Sequence, residues 1–535
     1  MSDATAARPR QLPGERRAPR PFRALALPAL ATLALAALLG LALPGTALAD
    51  ERAPGEHVAD QPTADQPTVF IASDSTAQSY GADFAPQAGW GQLLDRYLAE
   101  PVTVANHAIG GRSSRTFVAE GRLDAILEQI EPGDYLLVQF GHNDATISRP
   151  DRYTSPADFK EYLRDDYIAG ALARGATPVV VTPVSRRVFD PASGELGVSF
   201  PEYAQAAREV AAEEGVPLLD LGRASHEYLS GVGPLESTAV FLHVPPGVYP
   251  NRPGGTIDET HFQTYGADRM ARLVAVEIAG LGLPLSDAVV GTEPTGPRPA
   301  RPDRPHAAQV GHDGARLSWE PVDNATLYRV EARPADERGA AWTVVAVSPI
   351  PLADVTGLAE ATRYELRLIA VNDRGLSAGS RPLTLTTAAA DLRLDFGPAG
   401  SPVAEGYLGV SPETGYPGEH GVGFAEGAAP AGAADRGPAT DALSRDFVLG
   451  AGGEYRLAVD VPNGTYAVSA TVGDAAGPSR TGFALEESDR GQVIGHPGAM
   501  TRQTFTQVTV SDGRLDLRLY GETGHLNALE LSRVS

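Results

Sequence analysis

The stretch VFIASDSTAQSY, residues 69–80, carries four residues suited to a buried strand straight into a cluster of small polar groups that begins Ser73-Asp74-Ser75-Thr76. A serine left at the tip of a buried strand needs a reason to be there, and the flanking segments supply the setting. TVFIAS is followed by GWGQLLDRYLAE, TVANHAI by GRLDAILEQI, DYLLVQFG by PADFKEYLRDDYIAGALARG, and TPVVVTPV by PEYAQAAREVAAEEG. PLLDL is followed by a long loop and then TYGADRMARLVAVEIAGLG. Each pair sets a short apolar run beside an amphipathic one, the pattern of strand then helix. Its repetition over residues 68–288 predicts an α/β domain, a doubly wound parallel sheet with helices on both faces. Ligands of such sheets bind at the carboxyl ends of the strands, and Ser75 stands at one of them.

At 535 residues the chain exceeds one hydrophobic core. Residues 1–49 read as an export signal: Arg16, Arg17, Arg20 and Arg23 precede an apolar run from Ala24 to Leu43, and Ala47-Leu48-Ala49 has the small-x-small pattern cleaved before Asp50. The alternative is a retained membrane anchor, since the run is about long enough to span a bilayer. Residues 50–67 are acidic, Pro-rich and aperiodic, the composition of a flexible tether. A second Pro-rich linker covers residues 289–304. Residues 305–389 hold short strands with Trp319, Tyr328, Val330, Leu358, Tyr364, Leu366 and Leu368 at inward positions, a small antiparallel sandwich. With Trp319 at the core position and Leu358 and Tyr364 at a tyrosine corner, this unit resembles a fibronectin type III domain and is expected to act as a spacer. In residues 390–535, EYRLAVDVPNGTYAVSATVGD alternates about Asn463-Gly464 and TQVTVSDGRLDLRLYG about Asp512-Gly513, which predicts two hairpins. This unit reads as a jelly roll and, from LDFGPAGSPVAEGYLGVSPETGYPGEHGVGF to LNALEL, resembles a galactose-binding-like domain.

A serine hydroxyl attacks well only when a base takes its proton and donors hold the resulting oxyanion. The strongest candidate base is His261 in IDETHFQTYGA, with Asp258 three residues before it. That spacing, in a turn or an opening helix, lets the carboxylate meet Nδ1 while Nε2 faces Ser75. Oxyanion donors are offered by the backbone of Ser75, by the consecutive glycines of HAIGGRSSRTF, and by the Asn143 amide in QFGHND. Ser75, Gly111, Asn143 and His261 resemble the four signature positions of the SGNH (GDSL-type) hydrolase superfamily, whose glycine directly precedes the arginine of GRS. The resemblance implies a flavodoxin-like three-layer sandwich with a parallel sheet, followed here by two all-β sandwich domains. The first block departs from Gly-Asp-Ser, since Ser73 replaces the glycine; a left-handed φ there would cost about 1 kcal/mol.

SDSTAQSY, GWGQLL, NHAIGGRSSRTF, VQFGHND, FLHVPPGVYPN and DETHF are similar, in order, to motifs of rhamnogalacturonan acetylesterases. That similarity implies an esterase that removes acetyl groups from plant pectic rhamnogalacturonan, without metal, through an acetyl-serine intermediate. Ser75, Asp258 and His261 are the catalytic candidates, and the export signal makes the protein one expected to be secreted and extracellular. An acetylxylan or lipase-like esterase using the same residues is the nearest alternative. A carbohydrate-binding surface protein with a vestigial hydrolase domain is another. Arg112 and Arg115 are substrate-binding candidates, and Arg186 and Arg187 also lie near strand ends, where guanidinium groups would pair with galacturonate carboxylates.

Bulk chemistry narrows the field. With 67 acidic against 44 basic residues the net charge is −23, which argues against nucleic acid as a partner. Cysteine is absent, which excludes disulfides and thiolate catalysis. No His-Glu-x-x-His occurs, so no metal and no cofactor is expected. His107 and His142 read as loop or core histidines. GLSAG, residues 375–379, mimics a nucleophile elbow, but its surroundings are sandwich strands and Ser377 is expected to be inert.

Overall fold

The computed structural model describes residues 66–418, 420–437 and 442–534. The expected export signal and nearly all of the tether therefore lie outside the described residues. Among the described residues no helix is long and apolar enough to cross a membrane.

The apolar runs of the first domain form β1 (Thr68–Ser73), β2 (Thr103–Asn106), β3 (Tyr135–Gln139), β4 (Thr177–Val181) and β5 (Leu218–Leu219). All are parallel, in the order β2-β1-β3-β4-β5. Alternation along the strands divides the interior. Val69, Ile71, Leu137, Val179 and Val181 pack on one face against Met270 and Val274 of the helix Thr264–Ala279. Phe70, Ala72, Leu136, Val138 and Val180 pack on the other with Phe117, Phe159 and Tyr167. Burial on both faces is why these strands read as unbroken apolar runs. It is also the three-layer arrangement expected.

Three segments of the first domain differ from their sequence reading. GWGQLLDRYLAE, with its amphipathic look, forms two short 3-10 helices, Trp90–Gln92 and Leu94–Tyr97. Its start is held by neighbours instead of by its own turn: the Gly89 N–H donates to the Gln78 carbonyl at 3.1 Å and the Trp90 N–H to the Thr76 carbonyl at 2.9 Å. The stretch after PLLDL, read as a loop, contains a helix over Leu221–Glu236 whose pattern is broken by Gly233, at φ 80°, and Pro234. IDETHFQ is neither a turn nor a helix. It lies in β7 (Thr256–Gln263), which pairs antiparallel with β6 (Phe241–Val244).

The second domain packs a three-stranded sheet on a five-stranded one, with Trp319 and Tyr328 ring centroids 5.2 Å apart in its core. The Tyr364 hydroxyl accepts the Ala359 N–H at 3.0 Å, closing the corner. The third domain is a sandwich of two five-stranded sheets. Neither of its expected hairpins forms. Tyr455–Asp460 and Arg514–Tyr520 pair in one sheet, whereas Gly464–Gly473 and Met500–Val510 pair in the other. Each turn is thus an arch between sheets, so Tyr455, Leu457 and Val459 face Tyr466, Val468 and Ala470 across the core. Asn463 ties the two arches together, its Oδ1 accepting the Gly513 N–H at 2.7 Å and its Nδ2 donating to the Ser511 carbonyl at 2.9 Å.

The second domain is not a simple spacer, because the third reaches the first directly. Arg490 of the third domain donates to the Gly254 carbonyl at 2.7 Å. Arg316 of the second donates to Pro246 at 3.0 Å. Both grips fall on the loop between β6 and β7.

Candidate active site

Beyond β1 the chain turns sharply. The Asp74 carbonyl accepts the N–H groups of Ala77 and Gln78, and its carboxylate Oδ1 accepts the Thr76 N–H at 2.9 Å and hydroxyl at 2.8 Å. Asp74 is fully buried; burial raises its pKa and the bonds from Thr76 oppose the rise. Ser73 ends the strand without a left-handed φ, so the departure from glycine carries no backbone strain. From Thr76 a line of side chains runs inward: Gln139 Nε2 donates to Thr76 Oγ1 at 3.0 Å, and Trp90 Nε1 donates to Gln139 Oε1 at 2.7 Å. This is the role of the GWG motif.

Gly89 lies so close that a β-carbon on it would sit 2.4 Å from the Ala77 carbonyl carbon and 2.5 Å from the Gln78 nitrogen. Those atoms are backbone and cannot swing aside. Gly89→Ala is expected to displace the turn, costing on the order of 1–3 kcal/mol of stability and lowering kcat roughly 100-fold if Ser75 moves by about 1 Å. Thermal unfolding and ester-hydrolysis kinetics check both, and parent-like kinetics would show that the turn does not depend on this contact.

Ser75 meets its partners at short range. His261 Nε2 is 3.0 Å from Ser75 Oγ, and His261 Nδ1 is 2.7 Å from Asp258 Oδ2. In a regular strand residues i and i+3 point to opposite faces, so β7 must depart from regularity. It does: Phe241 pairs with Phe262 and Leu242 with Asp258, which leaves residues 259–261 bulged between them. A bulge re-aims side chains, and here it turns Asp258 and His261 toward one another. Asp258 Oδ1 holds the bulge from inside by accepting the N–H groups of Thr260 at 2.7 Å and His261 at 2.9 Å. Glu259 holds it from outside, accepting Arg187 Nη1 at 2.8 Å and His243 Nε2 at 3.1 Å. Burial alone would raise the Asp258 carboxyl, but the hydrogen bonds and charge of His261 and the two backbone donors outweigh it and hold the group at about 2.

The glycine pair is sorted by hydrogen bonding. The Gly110 N–H donates to Gln78 Oε1 at 2.5 Å, while Gly111, at φ 80°, keeps an N–H that donates to no acceptor among the described residues. The Ser75 N–H is likewise unused. Asn143 spends one amide hydrogen on the Arg112 carbonyl at 2.9 Å, which orients the group and leaves the second hydrogen available.

Of the arginines expected to bind substrate, Arg112, Arg115 and Arg187 have protein partners. Arg112 is paired with Glu120 at 3.1 Å and also donates to the Gly110 carbonyl at 2.8 Å, so it orders the glycine loop. Arg115 Nη2 donates to the carbonyls of Pro150, Asp151 and Tyr153. Arg187 anchors Glu259. These three are loop-ordering side chains in this structure, because carbonyls and carboxylates of the protein reach them first. His142 is buried with Nε2 2.9 Å from the Val184 carbonyl, and His107 is half-buried beside the Phe70 ring. Ser377 Oγ accepts the Ala370 N–H at 2.9 Å, on a strand edge of the second domain. Sequence reading missed Gln78, Gln139 and Glu259, whose partners are remote in the chain. It also missed Tyr80, whose hydroxyl donates to the Ser75 carbonyl at 2.9 Å and whose pKa burial pushes up to about 12.

The profile of the GDSL-like Lipase/Acylhydrolase family matches residues 74–252. The Fibronectin type III domain matches residues 300–386. The galactose-binding domain-like unit of beta-agarase/YXIM esterase-like proteins matches residues 392–532. The probable rhamnogalacturonan acetylesterase YesY of Bacillus subtilis (strain 168) is 46% identical over 223 residues, 42% of this chain and 97% of its own length. Rhamnogalacturonan acetylesterase RhgT of the same organism is 43% identical over 225 residues, 42% of this chain and 95% of its own length. Among solved structures, the crystal structure of the protein YxiM from Bacillus subtilis is 33% identical, with a TM-score of 0.36, over 42% of this chain and 60% of that one.

Proposed function

Because the chain belongs to the GDSL-like lipase/acylhydrolase family and is an esterase, we propose that it is a secreted carbohydrate esterase that removes acetyl groups from rhamnogalacturonan through an acetyl-serine intermediate. The observation that carries the mechanism is the run of contacts from Ser75 Oγ through His261 to Asp258, at 3.0 and 2.7 Å. As Ser75 attacks the acetyl carbonyl, its proton passes to His261 Nε2. Asp258, ionised at neutral pH, stabilises the imidazolium and keeps Nδ1 protonated. The oxyanion is received by the Ser75 and Gly111 N–H groups and the free amide hydrogen of Asn143. Loss of one such donor typically costs about 100- to 1000-fold in rate. His261 then returns the proton to the departing sugar hydroxyl, and water deprotonated by the same imidazole releases acetate.

The substrate reading is supported by the relatives' names together with the successive motifs that carry the similarity. Secretion is supported by the reading of residues 1–49, and an extracellular form beginning at Asp50 would bear it out. The galactose-binding-like domain fits contact with the same polysaccharide. The deciding measurement is acetate released from acetylated rhamnogalacturonan, acetylated xylan and 4-nitrophenyl esters by the full-length protein. The highest kcat/KM is expected on rhamnogalacturonan, and a higher value on xylan overturns that choice.

A further inference from the structure

In a chain with 67 acidic residues against 44 basic ones, most described arginines near the active site have found a partner. Arg152, Arg186 and Arg480 have not: among the described residues none has a carboxylate within 4.0 Å, and none of their side chains makes a hydrogen bond. The Nε atoms of Arg152 and Arg186 are both shielded from solvent and unpaired. All three belong to one neighbourhood. Arg152 Nη1 lies 3.8 Å from the place a side chain on Gly111 would take, at the edge of the oxyanion donors. The Arg186 guanidinium lies 4.9 Å from the Phe200 ring centre and is close enough to Asp74, Asp258, Arg152 and Arg480 to be influenced by each. Burial lowers its pKa, the charges of Asp74 and Asp258 oppose that, and the two arginines push the same way as burial.

Arg480 comes from the third domain. It sits exposed on the strand Ser479–Leu485, opposite Ile494 of the neighbouring strand Ser488–Gly495. That second strand runs along β7: a side chain on Gly491 would stand 3.3 Å from the carbonyl of Ile257, the residue before Asp258. The contact with Arg490 fixes the same edge. His496, just beyond that strand, also acts on Asp190 in the loop that follows Arg186.

Arg186 feels the charges of Arg152 and Arg480 as well as those of Asp74 and Asp258, yet none of the three guanidinium groups is paired with a carboxylate among the described residues. Such a cluster matches a ligand that brings its own negative charge. We infer that Arg152, Arg186 and Arg480 form a carboxylate-binding subsite beside Ser75, so that the C-terminal jelly roll completes the substrate site of the hydrolase domain. The inference rests on the proposed action on a uronate-bearing polysaccharide, and the ligand is a uronate flanking the acetylated sugar.

The test uses the full-length protein with acetylated rhamnogalacturonan oligosaccharides whose carboxylates are either free or methyl-esterified. The readout is the ratio of kcat/KM for the free form to that for the esterified form. Arg480→Ala is expected to lower this ratio about 10-fold, Arg480→Lys to restore part of it, and 0.5 M salt to reduce it in the parent. A ratio equal in parent and variants overturns the subsite. A second measurement separates this failure from that of the substrate reading: inhibition of 4-nitrophenyl acetate hydrolysis by unacetylated oligogalacturonate. If the parent deacetylates neither oligosaccharide yet is inhibited, and Arg480→Ala weakens the inhibition, the substrate reading falls and the subsite stands. Equal inhibition of both proteins, or none of either, removes the subsite.

Discussion

Ser75→Ala is expected to lower kcat for ester hydrolysis by roughly 10⁴- to 10⁶-fold, leaving only what the oxyanion donors and binding provide. The hydroxyl's described hydrogen bond is the one to His261 Nε2, while the turn that carries it is held by Asp74, Thr76, Gln139 and Trp90. Folding should therefore be untouched, and the thermal midpoint should stay within a degree or two of the parent. Acetate release measured beside thermal unfolding separates the two effects. Unchanged turnover would mean that hydrolysis occurs elsewhere in the chain, and the nucleophile assignment would go with it.

Asp258→Asn should be nearly as damaging, about 10³- to 10⁴-fold in kcat, for a different reason. Asparagine keeps an oxygen for the Thr260 and His261 N–H groups, so the bulge can persist. Its amide nitrogen, however, would face Nδ1 and donate to it. The imidazole must then carry its proton on Nε2, where it cannot accept one from Ser75. The pH dependence of stability follows from the low carboxyl value of about 2 in the folded protein. A depressed acid contributes stability that is fully present above its unfolded value of about 4 and is lost as pH falls toward 2. Unfolding midpoints measured from pH 2 to 7 should show the parent losing more than Asp258→Asn below pH 4, with parallel curves above it. Divergence between pH 5 and 7 would contradict an Asp258 already ionised there.

Much of the fold could be read without coordinates, because the signals were local. TVFIAS, DYLLVQF and TPVVV are apolar at every position, and only burial on both faces of a sheet accommodates that. Ser75, Asp258 and His261, of which His261 lies within hydrogen-bond reach of the other two, could be picked out as candidates by chemical type and by order, with Ser75 at a strand end. Local signals also misled where the outcome was long-range. Asn463-Gly464 and Asp512-Gly513 are sound turns, but whether the next strand lies beside its predecessor or crosses to the facing sheet depends on which partners it finds. Gly233 and Pro234 obscured a real helix. Arg112 and Arg115 had the right charge for substrate, and the protein's own carboxylate and carbonyls took it.

The sequence by itself determined the three-domain order, the parallel sheet, and the candidate residues Ser75, His261 and Asp258, because periodicity and residue type are properties of neighbours in the chain. Only the tertiary structure decided how they act. The bulge that joins Asp258 to His261 exists because β7 shifts register against β6. Gly111 keeps its N–H because Gln78 takes that of Gly110, and Arg490 reaches the Gly254 carbonyl because the third domain folds back onto the first. Each is a choice between partners far apart in the chain, settled by geometric fit and hydrogen-bond competition, which no short stretch of sequence encodes.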